Sequence, residues 1–171
     1  MYVDFHAHCT KRGCFIFGNT CAEPERQYEA MLIPKIMAMN CVNFDFRECN
    51  FSDEKNNVKD KKGDSRDGSG RAAIFRETEG NPLTYTFEAN YCTGHRVNSL
   101  SCRYDSINDK KLIKEDSSIH DTTSSIYRGR KAPIFTPEIY MDVGQSVLLA
   151  LLDYDGLNPI SRLVKKKGED L

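Results

Sequence analysis

The sequence has no tryptophan, no C-x-x-C pair, no apolar run longer than six residues and no surplus of charge of either sign. Each absence excludes something. The longest apolar run is Val147–Leu152. A membrane-crossing helix needs about 20 apolar residues, so no such span is expected. Lys and Arg together number 24 against 25 Asp and Glu. A general nucleic-acid binder needs a basic excess to displace counterions, so neither nucleic acid nor membrane is an expected partner. The Gly68-Ser69-Gly70 stretch lacks the G-x-x-x-x-G-K-[ST] spacing and is no phosphate loop. The seven cysteines are odd in number and irregular in spacing. A secreted disulfide framework or a zinc ribbon would look different. They read as buried free thiols of a reducing compartment. No basic head precedes an apolar stretch at the start, so the expected location is cytoplasmic.

What is present is a chain of 171 residues with 39% hydrophobic content, 9 Phe and 8 Tyr. That is too apolar for disorder and long enough to bury a core in one domain. Residues 1 to 8 alternate as a strand, with Met1, Val3 and Phe5 on one face and Tyr2, Asp4, His6 and His8 on the other. Cys14–Phe17 reads as a second short strand. Pro24 opens a helix with a Tyr28, Leu32, Ile36, Met39 stripe, which Pro34 is expected to kink or divide. Val42–Phe51 alternates again. Arg71–Arg76 reads as a strand, joined by the turn Glu79-Gly80-Asn81-Pro82 to the clean strand Leu83–Asn90, so a hairpin is expected. Thr136-Pro137-Glu138 starts a helix whose face is Ile139, Val143, Val147, Leu151 and Tyr154. Leu148, Leu149 and Leu152 are expected to widen that face. Residues 53–70 and 93–134 read as polar loops and 155–171 as a polar tail. The fold class is mixed α/β.

Four features could carry chemistry. In Asp4-Phe5-His6-Ala7-His8 the two histidines share a strand face, and imidazole is a common zinc ligand that a carboxylate can orient. The same spacing also suits two ordinary polar-face histidines. Glu88 lies mid-strand, where Glu is depleted. It is a general base if its face lines a cleft, and a solvent-facing acid otherwise. Arg71 follows a glycine-rich stretch and offers a planar fork for a carboxylate, or is simply an exposed arginine. Cys9 beside His6 and His8 raises a Cys–His pair, but nothing supplies an orienting third group.

Taken together, these residues resemble a family. Asp4-Phe5-His6-Ala7-His8-Cys9 followed by Lys11-Arg12-Gly13-Cys14-Phe15-Ile16-Phe17-Gly18 is similar to the D-x-H-x-H-S…K-x-x-x-F-x-[YF]-G segment of the cytosolic carboxypeptidases, which are M14 zinc metallocarboxypeptidases. Gly68-Ser69-Gly70-Arg71, Tyr85-Thr86-Phe87-Glu88, Phe135-Thr136-Pro137-Glu138 and Leu151-Leu152-Asp153-Tyr154 continue in the family's order. The resemblance implies an α/β fold: the C-terminal portion of a mixed sheet flanked by helices, over residues 1–154. It implies zinc as cofactor, with His6 as a metal ligand and His8 as a non-ligand. It further implies Glu88 as the carboxylate that activates water and shuttles its proton, and Arg71 as the receptor for a glutamate side chain. The implied substrate is a glutamylated protein such as tubulin, which allows a microtubule-associated location.

The family's H-x-x-E motif, which supplies two further zinc ligands, has no counterpart in this sequence. The chain is therefore expected to be inactive alone. Two alternatives stand beside the enzyme: a non-catalytic module that binds acidic protein tails, and an unrelated α/β domain. A structure with His6 and Glu88 on different sides of the sheet would favour the last.

Overall fold

The structure is a computed structural model that describes residues 1–52, 70–112 and 134–163. Most of the two expected polar loops, His120 and the lysines at 165–167 lie outside the described residues. Within them the fold is mixed α/β, as expected.

Strands β1 (Tyr2–His8), β2 (Cys14–Phe17) and β3 (Thr84–Asn90) form one sheet in the order β1-β3-β2. β3 lies parallel to β1 and antiparallel to β2. Parallel partners need a long crossover, and here it contains β2, helix α1 (Pro24–Asn40) and helix α2 (Gly70–Glu77). β3 is central and its side chains are almost all buried, whereas those of β1 on the edge are half-buried or exposed. Helix α3 (Pro137–Tyr154) packs against α1. A second small sheet pairs β4 (Tyr104–Asp105) with β5 (Lys110–Lys111) and with β6 (Ile160–Ser161). Part of the stretch expected to be polar loop is therefore ordered ladder.

The expected hairpin is absent, because residues 70–77 are helical. Arg71-Ala72-Ala73 are strong helix formers, and the short apolar run after them fits either period. The turn read between two strands is instead the end of α2. Glu79 and Gly80 take positive φ of 53° and 80°, and Gly80 N–H donates to Phe75 O at 2.7 Å. Glycine serves there because it enters the left-handed region without strain.

Val42–Phe51 is not a continuous strand either. It touches the sheet through isolated bridges, Cys14 with Phe44 and Phe17 with Asn50, around a 3-10 helix at Phe46–Glu48. Asp45 turns the chain locally, its carboxylate accepting from Arg47 N–H at 3.0 Å. Such a side-chain bond competes with a ladder.

Pro34 does not divide α1, which runs unbroken from Pro24 to Asn40. Proline removes the N–H that would reach the carbonyl of residue 30. Tyr85 Oη supplies the replacement, donating to Ala30 O at 3.0 Å. The buried face of α1 is Ala30, Ile33, Pro34, Ile36 and Met37, so of the expected stripe Ile36 is buried, whereas Tyr28 and Leu32 are exposed. Apolar residues surround this helix, so periodicity alone does not choose the inner face.

In α3 the expected Val143 and Val147 are buried with Ser146 and Ala150, and Ile139, Leu151 and Tyr154 pack at the margin. Leu148 and Leu152 are exposed and do not widen the buried face. Polar ties lock α1 to α3. Asp153 accepts from Asn40 Nδ2 at 2.7 Å, and Tyr154 Oη donates to Glu29 at 2.8 Å.

Candidate functional site

The register of the sheet brings the chemistry onto one face. Asp4 lies opposite Thr86, His6 opposite Glu88, and His8 opposite Asn90. Across the other ladder Phe15 lies opposite Glu88 and Phe17 opposite Thr86. Paired residues project to the same side, so Asp4, His6, Glu88, Phe15 and Phe17 share a face. The opposite face carries Phe5, Phe87, Cys14 and Ile16.

Glu88 is not solvent-facing, being only 8% exposed. A buried carboxylate at a strand centre is costly unless it is bonded or used. His6 is half-exposed, and its Nε2 lies 2.9 Å from Asp4 Oδ2. Asp4 thus orients the ring through one nitrogen and leaves any ligand role to Nδ1.

His8 has a different task. Its Nδ1 accepts from Lys11 N–H at 3.0 Å and Thr10 N–H at 3.3 Å, and its ring meets Phe15 edge-on at 5.4 Å. It shapes the turn between β1 and β2. Asn90 holds that turn too, its Nδ2 donating to Lys11 O at 2.6 Å and His8 O at 3.1 Å. Cys9 is exposed beside these residues.

Arg71 is neither on a strand nor exposed. It sits in the first turn of α2, 5% exposed. Its Nη1 donates to Gly18 O at 2.7 Å and to Asn19 Oδ1. Asn19 Nδ2 in turn donates to Thr84 Oγ1 at 2.6 Å. The helix start comes close to β1. A Cβ at Gly70 would stand 2.5 Å from Tyr2 Oη and 3.4 Å from Asp4 Oδ2, so a larger residue there would have to push the Tyr2 hydroxyl aside. Through Asn19 the guanidinium is tied to the Thr84 end of β3. Glu88 is four residues further along, about 13 Å in a strand. Asn19 was not legible as a site residue. Gly18-Asn19-Thr20 reads only as a strand end, and nothing local reveals its partner on α2.

A zinc peptidase site needs three protein ligands. Among the described residues no group of three His, Cys, Asp or Glu side chains could hold a metal ion. The donor set around His6 and Asp4 therefore does not hold zinc by itself.

The thiols are not uniformly buried, contrary to the sequence expectation. All seven cysteines are free, with Cys14 and Cys41 buried and Cys9 and Cys92 exposed. Burial raises the Cys14 and Cys49 thiols from 9.0 to about 12. Cys41 is pushed up as well, by burial first and then by the Asp142 carboxylate.

No protein-family model matches the chain. Curated relatives do. The chain is 38% identical over 173 residues to "Cytosolic carboxypeptidase-like protein 5" of Danio rerio, covering 99% of this chain and 18% of that protein. The chain belongs to the cytosolic carboxypeptidase family. The Homo sapiens protein of the same name is 35% identical over 179 residues, again with 99% of this chain and 18% of the relative covered. "Cytosolic carboxypeptidase 6" of Homo sapiens is 26% identical over 159 residues, 93% of this chain and 24% of that protein. The chain thus spans about a fifth of the length of the relatives it matches. Their names are those of carboxypeptidases, so the family-level chemistry is peptide-bond hydrolysis.

Proposed function

We propose that this chain carries part of a zinc carboxypeptidase site that removes glutamates from protein C-termini or from polyglutamate side chains such as those of tubulin, in the cytoplasm. The observation that supports this reading best is the pairing of His6 with Glu88 on one sheet face. An unrelated domain with incidental His and Glu has no reason to bring them together. In this reading His6 is one zinc ligand, oriented by Asp4. When bound, the metal supplies an activated water and polarises the scissile carbonyl. The H-x-x-E pair that would complete the set has no counterpart in the sequence, so in this reading the 171-residue chain does not hydrolyse peptides alone.

The roles of this chain's own residues follow from their chemistry. Glu88 takes the proton of the attacking water and passes it to the leaving amine. Phe15 and Phe17 beside it exclude bulk water. Arg71 receives the acidic side chain of the leaving residue by charge-assisted pairing, and Asn19 fixes where its guanidinium lies. The burial of Arg71 means that substrate meets it inside the fold.

The second reading is a non-catalytic module that binds acidic tails through Arg71. The short donor set favours it, and the burial of Arg71 weighs against it.

The deciding experiment replaces the matched segment of the Danio rerio relative with this chain. The chimera is assayed for glutamate release from a polyglutamate peptide. Release that disappears in the Glu88→Gln chimera supports the enzyme. A chimera as active with Glu88→Gln as without it removes Glu88 from the mechanism.

A further inference from the structure

Lys11 is a cation at the rim of the sheet face that carries His6 and Glu88. The turn between β1 and β2 holds its backbone at both ends. Its N–H donates to His8 Nδ1 at 3.0 Å, and its O accepts from Asn90 Nδ2 at 2.6 Å. Its side chain folds back over the sheet. Lys11 Nζ lies 5.0 Å from the centre of the Phe15 ring, and Phe15 is the residue opposite Glu88 on β2. Neighbouring strands lie about 4.8 Å apart, so the ammonium caps a ring one strand-spacing from Glu88. Lys11 Nζ also lies 2.8 Å from Glu48 Oε2, with the two side chains 42% and 47% exposed. An exposed pair of this kind stabilises a fold little, so a second carboxylate can share the ammonium at small cost.

The two cations of this face stand at opposite ends of the catalytic pair. Arg71 is tied through Asn19 to the Thr84 end of β3, whereas Lys11 is tied through Asn90 to the other end. His6 and Glu88 lie between them. A peptide whose leaving residue reaches Arg71, with its scissile bond at Glu88, sends the residues it keeps toward Lys11. From Glu88 to Asn90 is about 7 Å of strand, the span of about two extended residues.

We propose that Lys11 is a specificity-determining residue that receives an acidic side chain one or two positions before the scissile bond. The inference rests on the peptidase reading and deepens it. Arg71 selects only the residue that leaves. Arg71 and Lys11 together select a run of glutamates over a lone terminal glutamate. Lys11 takes no part in bond breaking, so its effect falls on binding, and a charge-assisted bond to a half-exposed ammonium is expected to change KM about tenfold.

The test uses the chimera in which this chain replaces the matched segment of the Danio rerio relative. Two peptides are compared, one ending Glu-Glu-Glu and the other Gln-Gln-Glu. Lys11→Met keeps the stem over Phe15 and removes the charge. It is expected to raise KM for the first peptide about tenfold, to leave kcat unchanged and to leave the second peptide unaffected. Glu48→Gln removes the competing carboxylate and is expected to lower KM for the first peptide alone, by about twofold to threefold. Lys11→Arg keeps the charge and is expected to keep the preference. Binding of fluorescein-labelled forms of both peptides to the metal-free chimera is measured alongside by anisotropy. A chimera that cleaves both peptides and tells them apart equally well with and without Lys11 overturns the proposal and leaves the peptidase reading standing. A chimera that cleaves neither, yet loses preferential binding of the Glu-Glu-Glu peptide with Lys11→Met, supports Lys11 and overturns the peptidase reading. No cleavage and no preference in binding overturn both.

Discussion

Glu88 lies directly opposite His6 in the parallel ladder, buried where His6 is half-exposed. Eighty-two positions separate them in the chain, and one register brings them together. A slip of one residue would put them on opposite faces of the sheet. The site therefore depends on the same contacts that define the fold, above all the apolar underside of β3.

The first prediction concerns this pair. In the chimera described above, Glu88→Gln is expected to lower kcat by about 10²–10⁴-fold, the usual worth of a general base. Glutamine keeps the size and most hydrogen bonds, so KM is expected to change little. A rise in KM with unchanged kcat would assign Glu88 to substrate binding instead.

The second prediction concerns Asn19. Asn19→Ala removes the acceptor of Arg71 Nη1 and the donor to Thr84 Oγ1 in one step. Both groups are buried, so the loss is expected to be about 1–3 kcal/mol in urea unfolding. In the chimera the same change is expected to raise KM for glutamate-ending peptides more than it lowers kcat. An unchanged KM would make Asn19 a purely structural residue.

The parts of this fold legible in the sequence were those with a single period. β3 alternates cleanly, and α3 announces itself with Thr136, Pro137 and Glu138. The failures share a cause, which is a long-range partner deciding between two local options. Arg71–Arg76 suits a helix or a strand until its glycine cap at Gly80 is seen as a helix end. Pro34 breaks a helix unless Tyr85 repairs the lost bond, and nothing near Pro34 in sequence reveals Tyr85. The candidate site divides in the same way. His6 and Glu88 stood out by residue type and position, but the burial of Arg71 and its tie to Asn19 are tertiary facts.

The third prediction separates two apolar residues that sequence treats alike. Phe44 is fully buried, with its ring centroid 6.1 Å from that of Phe87 beneath the site. Phe44→Ala is expected to cost about 3–5 kcal/mol by loss of transfer energy and creation of a cavity. Leu148 is 64% exposed, so Leu148→Ala is expected to stay within about 0.5 kcal/mol. Denaturant midpoints of the two variants read the difference. A large loss at Leu148 would mean that this face of α3 is covered in solution.

The last prediction is a dependence on alkaline pH. Burial lifts Cys14 and Cys49 from 9.0 to about 12, so their thiols stay protonated in the fold. In the unfolded chain they ionise near 9. Between those values the native state holds more protons than the unfolded state, and stability falls as pH rises. Below about pH 9 both states keep these protons, and the thiols contribute no slope. Urea midpoints are therefore expected to be flat with respect to these groups up to about pH 9 and to decline above it. Cys14→Ala together with Cys49→Ala is expected to lessen that decline, after allowance for the core volume removed, with Cys41 and Tyr85 keeping their share. Alkylation at pH 8.5 gives the companion measurement. Exposed Cys9 and Cys92 are expected to react within the native lifetime, and Cys14 and Cys41 only on unfolding. Rapid native-state labelling of Cys14 would show that the face of β2 toward the helices opens to solvent.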